Sequence, residues 1–515
     1  MTDAPTSPSP SSPPDRGDTS FGSAVAWSYV MDGSRVLMSL LVTLVLARVL
    51  GPEVYGTAAF AIVFTLLVRL VVQNGMVAAI IQREQLENRH LQAAFVMVLV
   101  VASLLTVVTV AAAPLLGELT DDPDLAEVLQ VLSLMVIIGG LAVVPEGIQR
   151  RQLNFKILAV RTSVAVLVGS VTALVAAALG AGVWAIVLQQ LATEAVALVL
   201  LWFVTPWRPT WSFDRDAAGD LLGFWSGTVL ASLGSYLRWQ IDILLIGGFF
   251  PRQTVGLYRF GQRLPDQWSE LSVRALQNAS LPELAKYQDD EQRFRERVID
   301  VVRLSAIVGI PVLGVLAGLA EPLIDLVDAT KWADAETAVT VLSLATALKA
   351  LTLFSAPVLQ AIGRTYTLAA LTWFHAAVGL VVFVSVGLWL GDSATSVADQ
   401  VLGTAWSRVV VFFVAVLVDS IVISRLTALH VTDVARAAAP SAAVGLLAFT
   451  ATSLVLALLG DLPALVVLVV AGGAGLFTVI VGLLALEPLV RRQIVRVPVL
   501  GPRLAGRIEL QDTEV

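Results

Sequence analysis

Arg259, Arg263, Asp266, Glu270 and Arg274 follow one another at spacings of 4, 3, 4 and 4 within the stretch 254–279, which is long enough to cross a bilayer. At about 100° per residue these five groups fall within about 80° of one another on a helix, and Gln277 joins the same stripe. Leu257, Phe260, Leu264, Trp268, Leu271 and Ala275 line the opposite face. An ionised side chain at the bilayer centre costs about 2.5 kcal/mol even on lenient insertion scales, so five facing lipid would cost about 12 kcal/mol. The stripe therefore requires a wet cavity or charged partners. Pairing along the helix among Arg263, Asp266, Glu270 and Arg274 is one structural alternative, and a helix lying on the membrane surface is another.

Other ionisable residues fall inside apolar stretches. Asp32 and Arg35 lie in 24–47, Arg69 with Gln73 and Asn74 in 57–80, and Glu194 in 181–204. Arg238 and Asp242 lie four apart in 221–248, and Lys349 lies in 338–361. Arg408 and Asp419 sit nearer the ends of 398–423. Of the more central groups, Arg35, Arg69, Arg238, Arg259, Arg263, Arg274 and Lys349 outnumber Asp32, Glu194, Asp242, Asp266 and Glu270. Intramembrane ionisable groups mark functional sites by default. A cation-rich cavity selects an anionic solute or lipid head group, and the arginine fork suits phosphate because it bonds two oxygens at once. The cations are accordingly the expected substrate contacts. The acids are the expected sites of ion coupling or of charge pairing.

The elements that position these groups are apolar helices. The chain of 515 residues is 57% hydrophobic and only 14% charged, with mean hydropathy +0.83. A soluble domain carries about 25% charge, so this composition belongs in a bilayer. Fourteen spans are expected, from 24–47 to 463–486. The even-numbered connections and the two tails hold twenty Lys or Arg residues; the odd-numbered connections hold Arg48, Arg252 and Lys331 and are otherwise acidic. The positive-inside rule then places both termini in the cytoplasm, which an even number of spans satisfies. Residues 1–23, rich in Pro and Ser, read as a disordered cytoplasmic tail rather than a signal peptide.

Leu50-Gly-Pro-Glu-Val-Tyr-Gly56 and Phe250-Pro-Arg-Gln-Thr-Val-Gly256 each set Pro before Gly in a short turn, and the two end 200 positions apart. Pro145 before Arg150-Arg151 is echoed by Pro357 before Arg364. Pro and Gly mark turns in any chain. As a repeat, these pairs describe two bundles entering the membrane from the same side, 24–204 and 221–423, joined by a linker at 205–220. Helices at 424–486 and a basic cytoplasmic tail at 487–515 follow. Parallel repeats suit alternating access, with substrate between the halves.

Several chemistries are excluded. There is no cysteine, hence no disulfide or thiolate site, and His90, His375 and His430 are too dispersed for a metal cluster. No G-x-x-x-x-G-K-[ST], H-E-x-x-H or G-x-S-x-G occurs, so neither ATP hydrolysis nor a familiar hydrolase centre is expected, and no cofactor is implied. The net charge of −7 does not point to nucleic acid.

Three segments carry a resemblance. They are Ala47-Arg-Val-Leu-Gly-Pro-Glu-Val-Tyr-Gly56, the connection from Asn74-Gly-Met-Val-Ala-Ala-Ile-Ile-Gln-Arg-Glu-Gln-Leu-Glu-Asn-Arg-His to Phe95, and Pro145-Glu-Gly-Ile-Gln-Arg-Arg-Gln-Leu-Asn-Phe-Lys156. They resemble the Wzx-like polysaccharide exporters of the multidrug/oligosaccharidyl-lipid/polysaccharide superfamily, more specifically in the first half than in the second. The resemblance implies an all-α polytopic membrane protein of two six-helix, MATE-like bundles plus two C-terminal helices, in the plasma membrane. It implies a flippase, not an enzyme, moving a lipid-linked oligosaccharide from the cytoplasmic to the outer leaflet by alternating access. The expected partners are that glycan lipid, membrane lipid, coupling H+ or Na+, and glycosyltransferases or an oligosaccharyltransferase, with the carrier itself a monomer. An ion-coupled drug antiporter of the same superfamily would want an acid-dominated cavity. A membrane glycan polymerase or ligase would want a large outer loop, and the longest here spans 321–337.

Overall fold

The computed structural model describes residue 38 and residues 41–391, 395–459, 462–487 and 489–490, except for the side chains of 271–279. The tail 1–23, Asp32, Arg35, the Arg274 side chain and the basic tail beyond 490 lie outside the described residues. Among the described residues all regular structure is helical. The first half contains α1 (Leu41–Leu50), α2 (Pro52–Gln82), α3 (Asn88–Leu119), α4 (Pro123–Leu132), α5 (Leu134–Arg151), α6 (Phe155–Ala178) and α7 (Trp184–Val204). The second half contains α8 (Arg215–Phe249), α9 (Arg252–Ala285), α10 (Glu291–Gly318), α11 (Ala320–Trp332), α12 (Ala335–Ala350), α13 (Ser355–Ala361), α14 (Thr365–Gly391) and α15 (Val397–Leu426). Helices α16 (Val431–Leu459) and α17 (Ala464–Leu486) complete the described chain.

Local chemistry sets many of the starts. Gly51, at φ 78°, turns the chain between α1 and α2, a left-handed conformation that only glycine adopts without strain, and Pro52 then occupies the first helical position. Asp122, Asp214, Asp290 and Ser396 cap α4, α8, α10 and α15 by accepting backbone N–H bonds.

Among the described residues twelve helices are long and apolar enough to cross a membrane. Two of these are broken rather than continuous: the expected span 125–145 is α4 and α5 meeting at Ser133, and 338–361 is α12 and α13. Two expected spans fall outside the twelve. The described part of the first is α1 alone, and the eighth, α9, is too polar to qualify. Polarity does not leave α9 on a surface, because it packs against α2, α10, α12, α13 and α15. The segment expected as the longest outer loop, 321–337, is mostly the helix α11, whose fully buried Trp332 donates Nε1–H to the Ala47 carbonyl at 3.1 Å.

In the first half α2 and α3 pack on α5, and α6 on α7; in the second, α12 packs on α9, α10 and α15, and α14 on α8 and α15. The halves meet where α2 crosses α8 and α9. Helix α16 rests on α10 and pairs with α17.

Candidate functional site

Helix α9 is held between α2 of the first half and α12 and α15 of the second, so its charged stripe is answered from other helices. Asp266 accepts from Lys349 Nζ of α12 at 3.0 Å and lies 3.3 Å from Arg408 Nη2 of α15. Arg408 is also in direct contact with Asp242 of α8. Asp242 Oδ2 accepts from Tyr258 Oη at 2.8 Å and from Gln262 Nε2 at 3.2 Å. The result is an alternating chain, Asp242–Arg408–Asp266–Lys349, drawn from four helices. Alternation is what deep burial demands: Asp242 and Arg408 are 3% and 4% exposed, and an unpaired charge there would carry the full desolvation cost.

Three expected site residues are thus brought together, and Asp266 is bound across helices rather than along its own. Arg408 was expected near the end of its span; the structure puts it at the centre of the network. The available signal was the stripe Val401, Ala405, Arg408, Phe412, Ala415, Asp419 and Ile423, which runs along one buried face of α15.

Two further cations border this network with neutral partners. Arg259 Nη1 donates to Gln262 Oε1 at 2.7 Å and to Gln240 Oε1 at 3.4 Å. The Arg238 guanidinium lies 4.9 Å from the centre of the Trp239 ring, and the Lys349 ammonium lies 4.7 Å from the same ring. One indole therefore positions two cations through its π face. Arg263 lies within electrostatic reach of Tyr55, Arg259, Glu270 and Asp266, and Glu270 is exposed.

The first half holds a separate pair. Arg69 of α2 bonds both oxygens of Glu194 of α7 at 2.6 Å, the fork-to-fork geometry of the strongest ion pairs. Gly139 of α5 lets this pair approach, since a Cβ there would lie 3.0 Å from Arg69 Nε and 2.8 Å from Gln73 Nε2. A cavity of about 340 Å³ includes Gln73 in its wall, with Asn74, Glu146, Arg150, Thr228 and Ser232 set among apolar residues.

A fourth cluster joins the halves at the end of the bundle carrying the acidic turns. Arg252 Nε donates to Asp122 Oδ2 at 2.8 Å, and Thr57 Oγ1 donates to the same oxygen at 2.7 Å. Arg252 also donates to the Gly247 carbonyl at 3.1 Å and stacks 4.6 Å from the Phe60 ring centre. Beside this pair the two repeated glycines touch: a Cβ on Gly56 would lie 1.9 Å from the Arg252 carbonyl oxygen, and one on Gly256 would lie 1.8 Å from that of Pro52. Beyond them a cavity of about 970 Å³ opens among Glu53, Asp121, Asp124 and Glu127.

Known proteins share both the fold and the sequence pattern. Succinoglycan biosynthesis transport protein ExoT of Rhizobium meliloti is 22% identical over 311 residues, 60% of this chain and 63% of ExoT. Teichuronic acid biosynthesis protein TuaB of Bacillus subtilis is 22% identical over 63% of this chain and 73% of its own length. Lipopolysaccharide biosynthesis protein WzxC of Escherichia coli is 23% identical over 60% of this chain and 63% of its own. The alignments with ExoT and WzxC thus span less than two thirds of those proteins. Among solved structures, lipid II flippase MurJ in an inward closed conformation superposes with a TM-score of 0.70 at 14% identity, covering 93% of this chain and 100% of MurJ. An inward-facing MATE family transporter of the MOP superfamily gives 0.59 at 17% identity, covering 77% of this chain and 98% of its own. The fold is therefore the all-α polytopic fold of these transporters, as the resemblance of the three segments implied. Residues 45–337, more than half of the chain, match the family described as polysaccharide biosynthesis protein, and the chain belongs to that family.

Proposed function

We propose that this protein is a flippase that carries a lipid-linked oligosaccharide, through its phosphate or pyrophosphate, from the cytoplasmic to the outer leaflet. The observation that carries the reading is the set Arg238, Arg259 and Lys349. Arg238 and Arg259 have neutral neighbours as their close partners and border the buried ion network, and Lys349, which ends that network on Asp266, shares an indole with Arg238. Asp266 holds Lys349 and Arg408, and an incoming phosphate would compete for the same donors. Oligosaccharide hydroxyls suit the amide and hydroxyl lining of the cavity at Gln73, Asn74, Thr228 and Ser232.

The basic connections lie on the cytoplasmic side in this reading, so both termini do too, and the Asp122–Arg252 cluster lies outside. That cluster, with the Gly56–Gly256 contact, closes the outer end and must part for release. The family membership and the names of ExoT, a succinoglycan biosynthesis transport protein, and WzxC, a lipopolysaccharide biosynthesis protein, support the assignment.

Deletion of the gene, followed by analysis of lipid-linked saccharides and surface glycan, tests it. The expected result is loss of surface glycan with full-length lipid-linked precursor trapped on the cytoplasmic face. Precursor that reaches the outer face unpolymerised would move the protein to the enzyme class. An unchanged glycan profile would move it to drug export.

A further inference from the structure

Two arginines of the first half share one carboxylate beside a cavity, and the central network does not use them. Glu146 Oε1 of α5 accepts from Arg150 Nε at 2.9 Å and from Arg150 Nη2 at 2.7 Å. Arg161 of α6 reaches Oε2 of the same carboxylate from Nη1 and Nη2, at 3.4 and 3.5 Å. Charge-assisted bonds run about 2.7–2.9 Å, so Arg161 is held loosely. Its Nε is buried and has no hydrogen-bond partner among the described residues. The Arg150 pairing is the ordinary i, i+4 contact of a helix surface. The Arg161 contact is different, because it leaves a guanidinium only 15% exposed with its donors poorly engaged, a state in which buried polar groups are rarely left.

The surroundings define what those donors suit. Two positive charges face one negative, so the cluster is one cation in excess. Glu146 and Arg150 stand in the wall of the cavity of about 340 Å³ between α2, α5 and α8, within the range of ligand pockets, about 300–1,000 Å³. The cluster also lies at the lipid boundary. On α6 the apolar residues Phe155, Val160 and Val164 are exposed, and Arg161 lies six residues, about 9 Å, inside the start of the helix. A phosphate carried by a lipid at head-group depth comes within reach of Arg161 while the hydrocarbon stays outside. In the proposed orientation the α5–α6 turn faces the cytoplasm, the side from which the cargo arrives.

From this geometry we infer that Arg150 and Arg161 form an entry site for the phosphate or pyrophosphate of the lipid-linked cargo, with Glu146 as the internal carboxylate that it displaces. The inference rests on the flippase reading and adds to it a site separate from Arg238, Arg259 and Lys349. With the phosphate on Arg150 and Arg161, the first sugars meet Asn74, Thr228 and Ser232 in the wall of the same cavity. Arg69 is the next cation inward. Gln73 of that wall donates to the Gly139 carbonyl at 3.3 Å, and Gly139 lies against Arg69, seven residues or about 10 Å from Glu146 along α5. Arg69 is likewise held by a carboxylate, that of Glu194. A cation paired in this way exchanges an acid for a phosphate without being left uncompensated, which is what partly buried charge requires.

The test is equilibrium binding of a polyprenyl pyrophosphate to the full-length, detergent-solubilised protein carrying Arg238→Met and Lys349→Met, which silence the central cations, with wild type measured beside it. Adding Glu146→Gln releases both arginines and should tighten binding by about tenfold while lowering the Tm of the ligand-free protein. Adding Arg161→Gln instead should weaken binding by about tenfold, and Arg161→Lys should keep part of it. Inorganic pyrophosphate should displace the probe. A purely structural staple predicts the fall in Tm with no gain of affinity in Glu146→Gln. Affinity within about twofold of the parent in both Glu146→Gln and Arg161→Gln would overturn the inference and, with wild type binding through its central cations, leave the flippase reading intact. Displacement by phosphatidylglycerol as readily as by inorganic pyrophosphate would overturn the entry role in favour of ordinary membrane lipid. Failure of wild type to bind the probe would remove the central anion site first, and this inference with it.

Discussion

Asp122→Asn should unseal the outer end of the protein. Asp122 and Arg252 are both more than nine-tenths buried, and Arg252 Nη2 already lacks a hydrogen-bond partner. Asparagine keeps the shape and an acceptor for Thr57 and Arg252 but removes the charge. Deleting one partner of a buried pair costs about 3–5 kcal/mol because the other charge is left uncompensated. The adjacent cavity of about 970 Å³ admits water, so the lower edge, about 3 kcal/mol, applies here. In an outward-open state both groups would be hydrated and the loss would be small. The penalty therefore falls on the sealed state alone and shifts the equilibrium toward opening by roughly a hundredfold. The assay is simple because the chain has no cysteine. Ala61 is fully buried one turn beyond Thr57 on α2, and a single Ala61→Cys should react with a membrane-impermeant maleimide only when the outer end opens. Adding Asp122→Asn should raise the labelling rate by one to two orders of magnitude, and adding Arg252→Met should return part of the change by removing the orphaned cation. Labelling within about twofold of Ala61→Cys alone, in folded protein, would refute the lock.

Gly256→Ala forces a methyl group against the Pro52 carbonyl and should destabilise the closed outer end by about 1–3 kcal/mol, seen as faster labelling at Ala61→Cys and reduced complementation. Glu194→Gln strands Arg69, so the Tm should fall with a cost of about 1–3 kcal/mol after discounting for the partial exposure of both groups; Arg69→Met in the same chain should recover part of it, and full additivity would refute the pair's coupling. Lys349→Met and Arg238→Met should each lower surface glycan in a complementation assay and weaken pyrophosphate binding more than tenfold, whereas Trp239→Leu should weaken it less, by loosening both cations. The Ala217 N–H holds the partly exposed Asp214 carboxyl below its ordinary range, so this cap supports the start of α8 above the unfolded carboxyl range and loses that support as pH falls through the folded value; amide exchange over 215–219 should accelerate in that window and not in Asp214→Ala.

Sequence alone determined the elements. Hydropathy and period are local, so the apolar helices, the turn at Gly51 and the charged stripe of α9 were legible from residues a few positions apart, whereas Gly56 and Gly256, expected in the turns, lie inside α2 and α9. The cost of five charges in lipid also showed that α9 needed partners. Their identity was decided by tertiary packing. Asp266 reaches Lys349 across 83 positions and Arg408 across 142, and Arg408 reaches Asp242 across 166. No local pattern encodes contacts at that separation, so the buried stripe of α15 could mark Arg408 as inward-facing but not name Asp242 and Asp266 as its partners. The breaks within α4–α5 and α12–α13 escaped for a related reason: a buried kink between two apolar helices leaves mean hydropathy unchanged. The repeated glycines combine both levels. Their spacing of 200 positions was plain in the chain, but that Gly56 and Gly256 meet each other, backbone against backbone, follows only from the two halves closing over the same end.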